Sequence, residues 1–187
     1  MTESRGPVLP ITYYDRTGQP YQVRDARPED GAVLVELLNR VGGEEIYIAD
    51  EGAQLTAEQE SALISQKNPD LQCILVAERQ GQVAGSLEMI RGALQKNRHT
   101  AMFGMALFAA FRGHGIGRGL LQSAEAWALS VGVEKVSLTV FATNRQAIRL
   151  YQSLGYREEG RRRDQYRIRG ALVDEVWMAH WLTQAHR

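Results

Sequence analysis

A short stretch with four glycines is the part of the sequence best suited to bind a ligand. It runs from Arg112 to Gly119 and reads Arg-Gly-His-Gly-Ile-Gly-Arg-Gly. An apolar segment before it predicts a buried strand, and apolar residues at helical spacing follow it. A glycine loop between a strand and a helix exposes backbone N–H groups, and the helix dipole adds partial positive charge there. Both features favour a phosphate group as the ligand.

Two common phosphate-binding motifs do not fit this stretch. A P-loop ends in Gly-Lys-Ser/Thr, whereas Gly117-Arg118-Gly119 has no lysine. A dinucleotide-binding loop needs Gly-x-Gly-x-x-Gly, but counting from Gly115 places Leu120 at the third glycine. The spacing of Arg112, Gly115 and Gly117 matches Arg-x-x-Gly-x-Gly instead. That pattern resembles the acyl-CoA pyrophosphate loop of the GNAT N-acetyltransferase superfamily.

A second motif lies further along the chain. Val136, Leu138 and Val140 alternate as in a strand, and the segment from Asn144 to Tyr156 follows. This segment resembles the superfamily's second cofactor motif, Asn-x-x-Ala-x-x-Leu-Tyr-x-x-x-Gly-Phe/Tyr. The two matches occur in the family's order and spacing, and the resemblance covers about Gln22 to Leu182. It implies a GNAT-type α/β fold, with a central, twisted, mostly antiparallel sheet and helices on both faces.

The amino-acid composition narrows the classes of ligand, partner and location that this protein is expected to have. The 22 basic and 22 acidic residues balance, so the net charge does not argue for a nucleic-acid or membrane partner. The one cysteine, Cys73, lies in an apolar run and is interpreted as a buried core thiol. The four histidines lack metal-ligand spacing, so no metal is expected. No apolar run approaches the length of a membrane span, and the cytoplasm is the expected location.

The elements are predicted from hydrophobic period and turn residues. Residues 1–20 are expected to form an N-terminal arm and hairpin extension, and residues 21–187 a single GNAT domain. A helix is predicted to open at Pro28, and another after Thr56, whose partner in a capping box is Gln59. The predicted strands are Gln72–Arg79, Gln82–Arg91, His99–Ala109, Arg157–Ile168 and Leu172–Leu182.

The resemblance implies acetyl-CoA as the cofactor. Its pyrophosphate is assigned to the backbone of the glycine loop, with Arg112 and Arg118 as charge partners. The pantetheine arm is expected beside the preceding strand, near Leu107 and Ala109. The predicted cofactor-binding residues are therefore Leu107, Ala109, Arg112, Gly113, His114, Gly115, Ile116, Gly117, Arg118, Gly119, Asn144, Ala147 and Tyr151. Asn144 is also a candidate helix N-cap.

Tyr151 is the predicted general acid. In GNAT enzymes the tyrosine at this position often lies near the CoA sulfur and protonates the leaving thiolate; the alternative is an aromatic residue that only packs in the core. The central strand contains no carboxylate, so Glu88 on the neighbouring strand is the candidate base. His99, an acid of the substrate wall and a chain of water molecules remain alternatives.

Glu44 and Glu45 are the predicted substrate-binding residues. They lie between the first two helices, a region that in the resembling family forms one wall of the acceptor cleft. Their charge suits a cationic amine, although a solvated acidic loop has the same pattern. The basic residues between Arg161 and Arg169 are interpreted as a solvated strand face, with a contact to the CoA 3′-phosphate or to a second copy as alternatives. The edge of the final hairpin predicts a homodimer.

The predicted function is acetyl-CoA-dependent transfer of acetyl to a primary amine, by direct attack in a ternary complex. The acceptor is a small amine, a polyamine, an amino-acid-like amine or a protein amino group. Direct attack is expected because no cysteine or serine stands out as an acyl carrier. A non-catalytic acyl-CoA-binding module is the alternative from another class, and an enzyme that uses a longer acyl-CoA is a third.

Overall fold

The computed structural model of the chain describes residues 9–49 and 51–183. Its strands are β1 Ile11–Tyr14, β2 Pro20–Asp25, β3 Gln72–Arg79, β4 Gln82–Arg91, β5 Thr100–Leu107, β6 Lys135–Phe141, β7 Arg157–Ile168 and β8 Ala171–Trp181. Its helices are α1 Gly31–Gly43, α2 Ala57–Gln66, α3 Ile116–Ser130 and α4 Arg145–Ser153. The strands form one sheet in the order β1-β2-β3-β4-β5-β6-β8-β7.

Local sequence signals placed several boundaries correctly. The predicted bounds of β3, β4 and β7 agree with the structure to the residue. Thr56 caps α2 as expected, because its hydroxyl accepts from Gln59 N at 3.3 Å while the Gln59 side chain accepts from Thr56 N at 2.9 Å. The central strand is shorter than predicted, since Ala109–Phe111 turns as a 3₁₀ helix after β5. Pro28–Asp30 is also a 3₁₀ turn, and α1 begins only after it.

The helices cover both faces of the sheet, as the predicted fold class requires. Apolar residues of α3 and α4 pack on one side, with Leu120, Leu121 and Tyr151 in a buried cluster with Leu87 and Leu138. We call this side the α3/α4 face. Residues of α1 and α2 pack on the opposite side, which we call the α1/α2 face. The buried members there are Ala26, Leu34, Leu37, Val41, Ile64, Ile74, Val76 and Ala106.

The centre of the sheet is split. All neighbouring strands are antiparallel except β5 and β6, which are parallel and pair only from Thr100↔Lys135 to Met102↔Ser137. Beyond that point β5 stays paired to β4 as far as Leu107, and β6 stays paired to β8 as far as Phe141. The two strands therefore diverge, and the backbone of β5 after Met102 has an edge without a strand partner.

The hairpin of β1 and β2 packs against the glycine loop and α3. The Asp15 carboxylate shapes its turn, accepting from Thr17 N at 2.8 Å, Thr17 Oγ1 at 2.7 Å and Gln19 N at 2.9 Å. Arg16 N donates to His114 O at 2.8 Å, which ties the turn to the loop. Of the predicted N-terminal arm, residues 1–8 lie outside the described part. The division of the chain at residue 20 stays a prediction.

Among residues 9–49 and 51–183, no helix combines the length and apolar character needed to cross a bilayer.

Candidate active site

A cavity of about 660 Å³ occupies the split between β5 and β6. Its walls include Phe103–Leu107 on one strand and Leu138–Phe141 on the other. The start of α3, one side of α4 and the segment after α1 complete it. The volume is within the range of about 300–1,000 Å³ that small-molecule sites occupy. The divergence of two strands thus forms a ligand-sized opening at the centre of the sheet.

The glycine loop forms one end of this cavity. Gly113 and Gly115 have φ angles of +79° and +90°, in the left-handed region that favours glycine, and α3 begins directly after Gly115. The N–H groups of a helix's first turn have no intrahelical acceptor and are available to an anion. Six predicted loop residues line the cavity: Arg112, Gly113, Gly115, Ile116, Gly117 and Arg118.

Two other predicted loop residues face the N-terminal hairpin instead. His114 accepts the hydrogen bond from Arg16 N, and it does not line the cavity. Gly119 lies against the hairpin aromatics, where an added Cβ would collide with the Tyr21 hydroxyl and lie 3.0 Å from the Tyr13 ring. The absence of a side chain at Gly119 therefore permits close packing of β1 and β2 on α3.

Three arginines from three elements line the loop end of the cavity. Arg118 belongs to α3, Arg149 to α4, and Arg16 to the turn between β1 and β2. Arg118 donates to Ser153 Oγ at 2.7 Å. Within the described part of the chain, none of the three forms an ion pair with a carboxylate. The loop end therefore combines a helix N-terminus with unbalanced positive charge, which suits a polyanionic ligand.

Arg112 also lines the cavity, but unlike the other three arginines it forms an ion pair. Its guanidinium holds both carboxylate oxygens of Glu44, at 2.6 and 2.7 Å, and its Nε donates to Leu107 O at 2.8 Å. The guanidinium also lies 4.3 Å from the centre of the Tyr47 ring. Hydrogen bonds from Arg112 lower the pKa of Glu44. The structure thus pairs a predicted phosphate partner with a predicted substrate residue, and both predicted roles stay predictions.

Tyr151 reaches the cavity from α4. Asn144 caps this helix, accepting from Ala147 N at 3.2 Å, and both Asn144 and Ala147 line the cavity. The Tyr151 ring is buried edge-on against Phe103, with 5.7 Å between ring centres. Its hydroxyl forms no hydrogen bond with another described residue. Burial raises the pKa of Tyr151 above the ordinary value for tyrosine, so the phenol keeps its proton at neutral pH.

Glu88 lies beside the cavity without lining it. Its position on β4 is opposite Gly104 of β5, and Gly104 does line the cavity. The Glu88 carboxylate accepts from Gln72 Nε2 at 2.5 Å. It is also near Glu60, whose pKa is raised first by burial and then by the charge of Glu88.

The remaining predicted site residues divide between the cavity and its surroundings. Leu107 lines the cavity, and Ala109 lies in the 3₁₀ turn outside it. Glu45 is exposed, and its carboxylate lies 3.4 Å from Arg169 at the tip of the final hairpin. The tip also contacts the end of α1 through a 3.1 Å bond from Arg169 to Glu44 O.

Sequence reasoning missed Glu175, a buried acid of the cavity. Glu175 is 5% exposed on β8 and is the one carboxylate among the described residues that line the cavity. Tyr166 Oη donates to its Oε1 and Trp177 Nε1 to its Oε2, both at 2.9 Å. Asp174 and Glu175 are adjacent in sequence, so their side chains lie on opposite faces of the sheet. The sequence does not indicate which of the two faces is buried. Arg16 and Arg149 were also missed, because Arg16 lies outside both motifs and Arg149 occupies a variable position of the second one.

Comparisons with known proteins agree with this arrangement. The model of the Acetyltransferase (GNAT) family matches residues 40–156. An uncharacterised N-acetyltransferase of Bacillus subtilis, YdgE, is 33% identical over 81 residues, which cover 43% of this chain and 52% of that protein. The L-amino acid N-acetyltransferase AaaT of Escherichia coli is 28% identical over 109 residues, 56% of this chain and 65% of AaaT. The chain thus spans about half to two thirds of the length of these curated relatives.

A solved structure shares the fold over most of its length. The acetyltransferase yncA of Salmonella typhimurium, solved with acetyl-CoA, superposes with a TM-score of 0.80 at 21% identity. The superposition covers 89% of this chain and 96% of that one. Together with the family match over more than half of the sequence, the split sheet and the glycine loop identify the chain as a member of the GNAT acetyltransferase family.

Proposed function

We propose that this protein binds acetyl-CoA in the cavity between β5 and β6 and transfers the acetyl group to a primary amine. One observation carries the proposal: the glycine loop at the start of α3 and Tyr151 line the same cavity. A phosphate-binding helix terminus and a protonated acid at one opening are what a CoA-dependent acyl transfer needs. The acceptor then reacts in a ternary complex.

The residues present fit CoA. Its diphosphate matches the N–H groups between Gly113 and Gly117, and its negative charge matches the side chains of Arg16, Arg118 and Arg149. The unpaired edge of β5 over Phe103–Leu107 offers backbone hydrogen bonds to the amides of the pantetheine arm. The Salmonella protein of the same fold was solved with acetyl-CoA. When bound, acetyl-CoA supplies the thioester acetyl group.

Tyr151 is proposed as the general acid. In the transfer, the amine nitrogen forms a bond to the acetyl carbon, the bond from that carbon to sulfur breaks, and sulfur receives the Tyr151 proton. The amine proton passes to a base, for which Glu88, acting through water across Gly104, stays our proposal.

Cys73 is buried and its pKa is raised to about 12 by that burial, so no thiolate is available there as an acyl carrier. This favours direct transfer.

One relative suggests L-amino acids as a class of acceptor. AaaT is named for that activity, and the family relationship makes amino acids a candidate here alongside other primary amines.

Thiol release from acetyl-CoA tests the proposal against a panel of monoamines, diamines, amino acids and peptides. We expect turnover with at least one class, and a loss of about 10²-fold or more in kcat for Tyr151→Phe, since that is typical of a removed general acid. Tyr14→Phe is the matched control, because Tyr14 is 72% exposed on β1. Tight CoA binding with no turnover across the panel would support a non-catalytic binding module instead.

A further inference from the structure

We infer that Glu175 holds a positive charge of the acceptor, so that the preferred acceptors are amines with a second cationic group and no carboxylate. This inference rests on the proposed acetyl transfer, and it names the substrate class of that same site. It follows from how charge is distributed in the cavity, from the hydrogen bonds of Glu175 and from the rings beside it.

Positively and negatively charged side chains lie in different parts of the cavity. The loop end contains Arg16, Arg118 and Arg149, which no carboxylate of the described residues balances. The fourth cation of the lining, Arg112, is neutralised by Glu44 through two short bonds. Among the described residues that line the cavity, Glu175 is the only one with a negative charge. A ligand that spans the cavity is therefore expected to be anionic at the loop end and cationic near Glu175.

Glu175 lies on the acceptor side of the sheet. It is opposite Phe141 of β6, and both alternate with residues whose side chains pack on the α3/α4 face, Val140 and Val176. Their own side chains are therefore directed to the α1/α2 face. The glycine loop leads into α3, which lies on the other face. The cofactor and the acceptor would thus reach the split from opposite faces, with Glu175 on the acceptor's side.

The carboxylate of Glu175 has capacity for one more donor. Each carboxylate oxygen accepts about two hydrogen bonds. Oε2 accepts from Trp177 Nε1 at 2.9 Å and from Arg162 Nη1 at 3.4 Å, whereas Oε1 accepts from Tyr166 Oη. Arg162 is the cation nearest to Glu175 in these contacts, and its side chain is 57% exposed. A long, solvated ion pair compensates a buried charge weakly, so an ammonium group would be held strongly at Oε1.

Two aromatic rings lie beside Glu175 in the cavity. Phe141 and Tyr166 both line the cavity and pack edge to face, 4.9 Å between ring centres. Ring faces attract cations, most strongly where water is excluded. A carboxylate and two rings select a cationic group over a neutral one. A zwitterionic amino acid gains less, because Arg112, the described cation that lines the cavity on this side, is already bound to Glu44.

Matched acceptors test the inference in wild-type protein without any substitution. We expect kcat/KM to be at least about tenfold higher for 1,4-diaminobutane than for butylamine, because a charge-assisted hydrogen bond has about that effect. We expect the same direction for 1,5-diaminopentane against lysine, which differ by one carboxylate. Equal or reversed preferences would overturn the inference while leaving acetyl transfer intact. A wild type that acetylates none of these amines would overturn the proposed function as well.

Glu175→Gln tests the residue itself. It keeps the shape and one acceptor oxygen but removes the charge, so KM for 1,4-diaminobutane should rise at least about tenfold while KM for butylamine stays within about twofold. The Kd for CoA should not change. Glu159→Gln is the control, since it removes an equal charge from an exposed position on β7. If Glu175→Gln instead lowers kcat for both amines equally with KM unchanged, Glu175 acts in proton transfer and the inference is wrong.

The melting temperature of each variant separates a binding effect from unfolding. If Glu175→Gln does not fold, Tyr166→Phe removes one donor to Oε1 and retains the ring, and we expect it to change the ratio of KM for the diamine to KM for the monoamine. An unchanged ratio in a folded Tyr166→Phe, together with no diamine preference in the wild type, would overturn the inference.

Discussion

Arg16 lines the cavity beside the glycine loop although it lies outside both family motifs. Its backbone N–H is bound to His114 O, and its side chain extends past Gly115 towards the cavity, with Cγ 3.5 Å from where a Cβ on that glycine would lie. The turn that presents it is fixed by Asp15, whose pKa is lowered by the Thr17 hydroxyl and by further backbone bonds. The position is therefore defined by the hairpin even though the side chain is exposed.

Arg16→Ala should weaken CoA binding. We expect the Kd for CoA to rise about three- to tenfold at low salt, because an exposed charge contact contributes less than a buried one. The difference should shrink as ionic strength increases, since salt screens exposed charges. Titration calorimetry measures both effects, and Arg98→Ala serves as control because Arg98 is exposed and does not line the cavity. An equal Kd for Arg16→Ala and wild type at low salt would exclude the contact.

The second prediction at this scale concerns the pH dependence of turnover. Burial raises the pKa of Tyr151 above its ordinary value near 10, so the phenol remains protonated while the amine acceptor loses its proton. We therefore expect kcat to rise with pH and then to level off, with no fall due to Tyr151 below about pH 10. A stopped assay over pH 6–10 measures this. A descending limb below pH 10 in the wild type that Tyr151→Phe abolishes would contradict the raised pKa of Tyr151, although it would still support the acid role.

At the scale of elements, one ion pair connects the end of α1 to the end of β5. Arg112 binds Glu44 after α1 and Leu107 O at the end of β5. Arg169 at the tip of the final hairpin adds a bond to Glu44 O. Three separate segments of the chain are thereby joined at one wall of the cavity. The contacts of Glu44 are those of a residue that positions this wall.

Glu44→Gln should lower stability in a pH-dependent way. Bonds from Arg112 lower the pKa of Glu44 in the folded state. Its contribution is therefore complete above the unfolded value of about 4.3 and is lost as pH falls through the lower folded value. Because the pair is partly solvated, we expect a loss of about 1 kcal/mol or less at pH 7.

Urea unfolding at pH 7 and near pH 3 measures this difference. Glu51→Gln is the control, since Glu51 is exposed. A Glu44→Gln defect of the same size at both pH values would show that the ion pair is not its cause.

At the scale of the whole molecule, local sequence signals located the elements, and long-range packing decided what they present to the cavity. The hairpin of β3 and β4 and the Thr56 capping box depend on neighbouring residues, and both were predicted. The glycine loop was predicted from its own spacing. Arg16 and Glu175 reach the cavity only because distant strands join the sheet or pack on α3, which no local pattern encodes. The pairing of Arg112 with Glu44 spans 68 residues and was likewise not predictable.

The split between β5 and β6 is the feature on which the functional account depends. It lies at the single parallel pairing of the described sheet, and the glycine loop connects the end of β5 to α3 directly beside it. Arg149 and Tyr151 of α4 reach the same opening. One topological feature thus brings together the glycine loop, Arg149 and Tyr151, to which we assign the phosphate and acid roles.

A crystal structure of the protein with acetyl-CoA tests this account most directly. We predict that the pantetheine arm lies between Phe103–Leu107 and Leu138–Phe141, with the diphosphate on the backbone of Gly113–Gly117 and the sulfur beside the Tyr151 hydroxyl. Acetyl-CoA bound at another surface, or a diphosphate away from the glycine loop, would contradict the account.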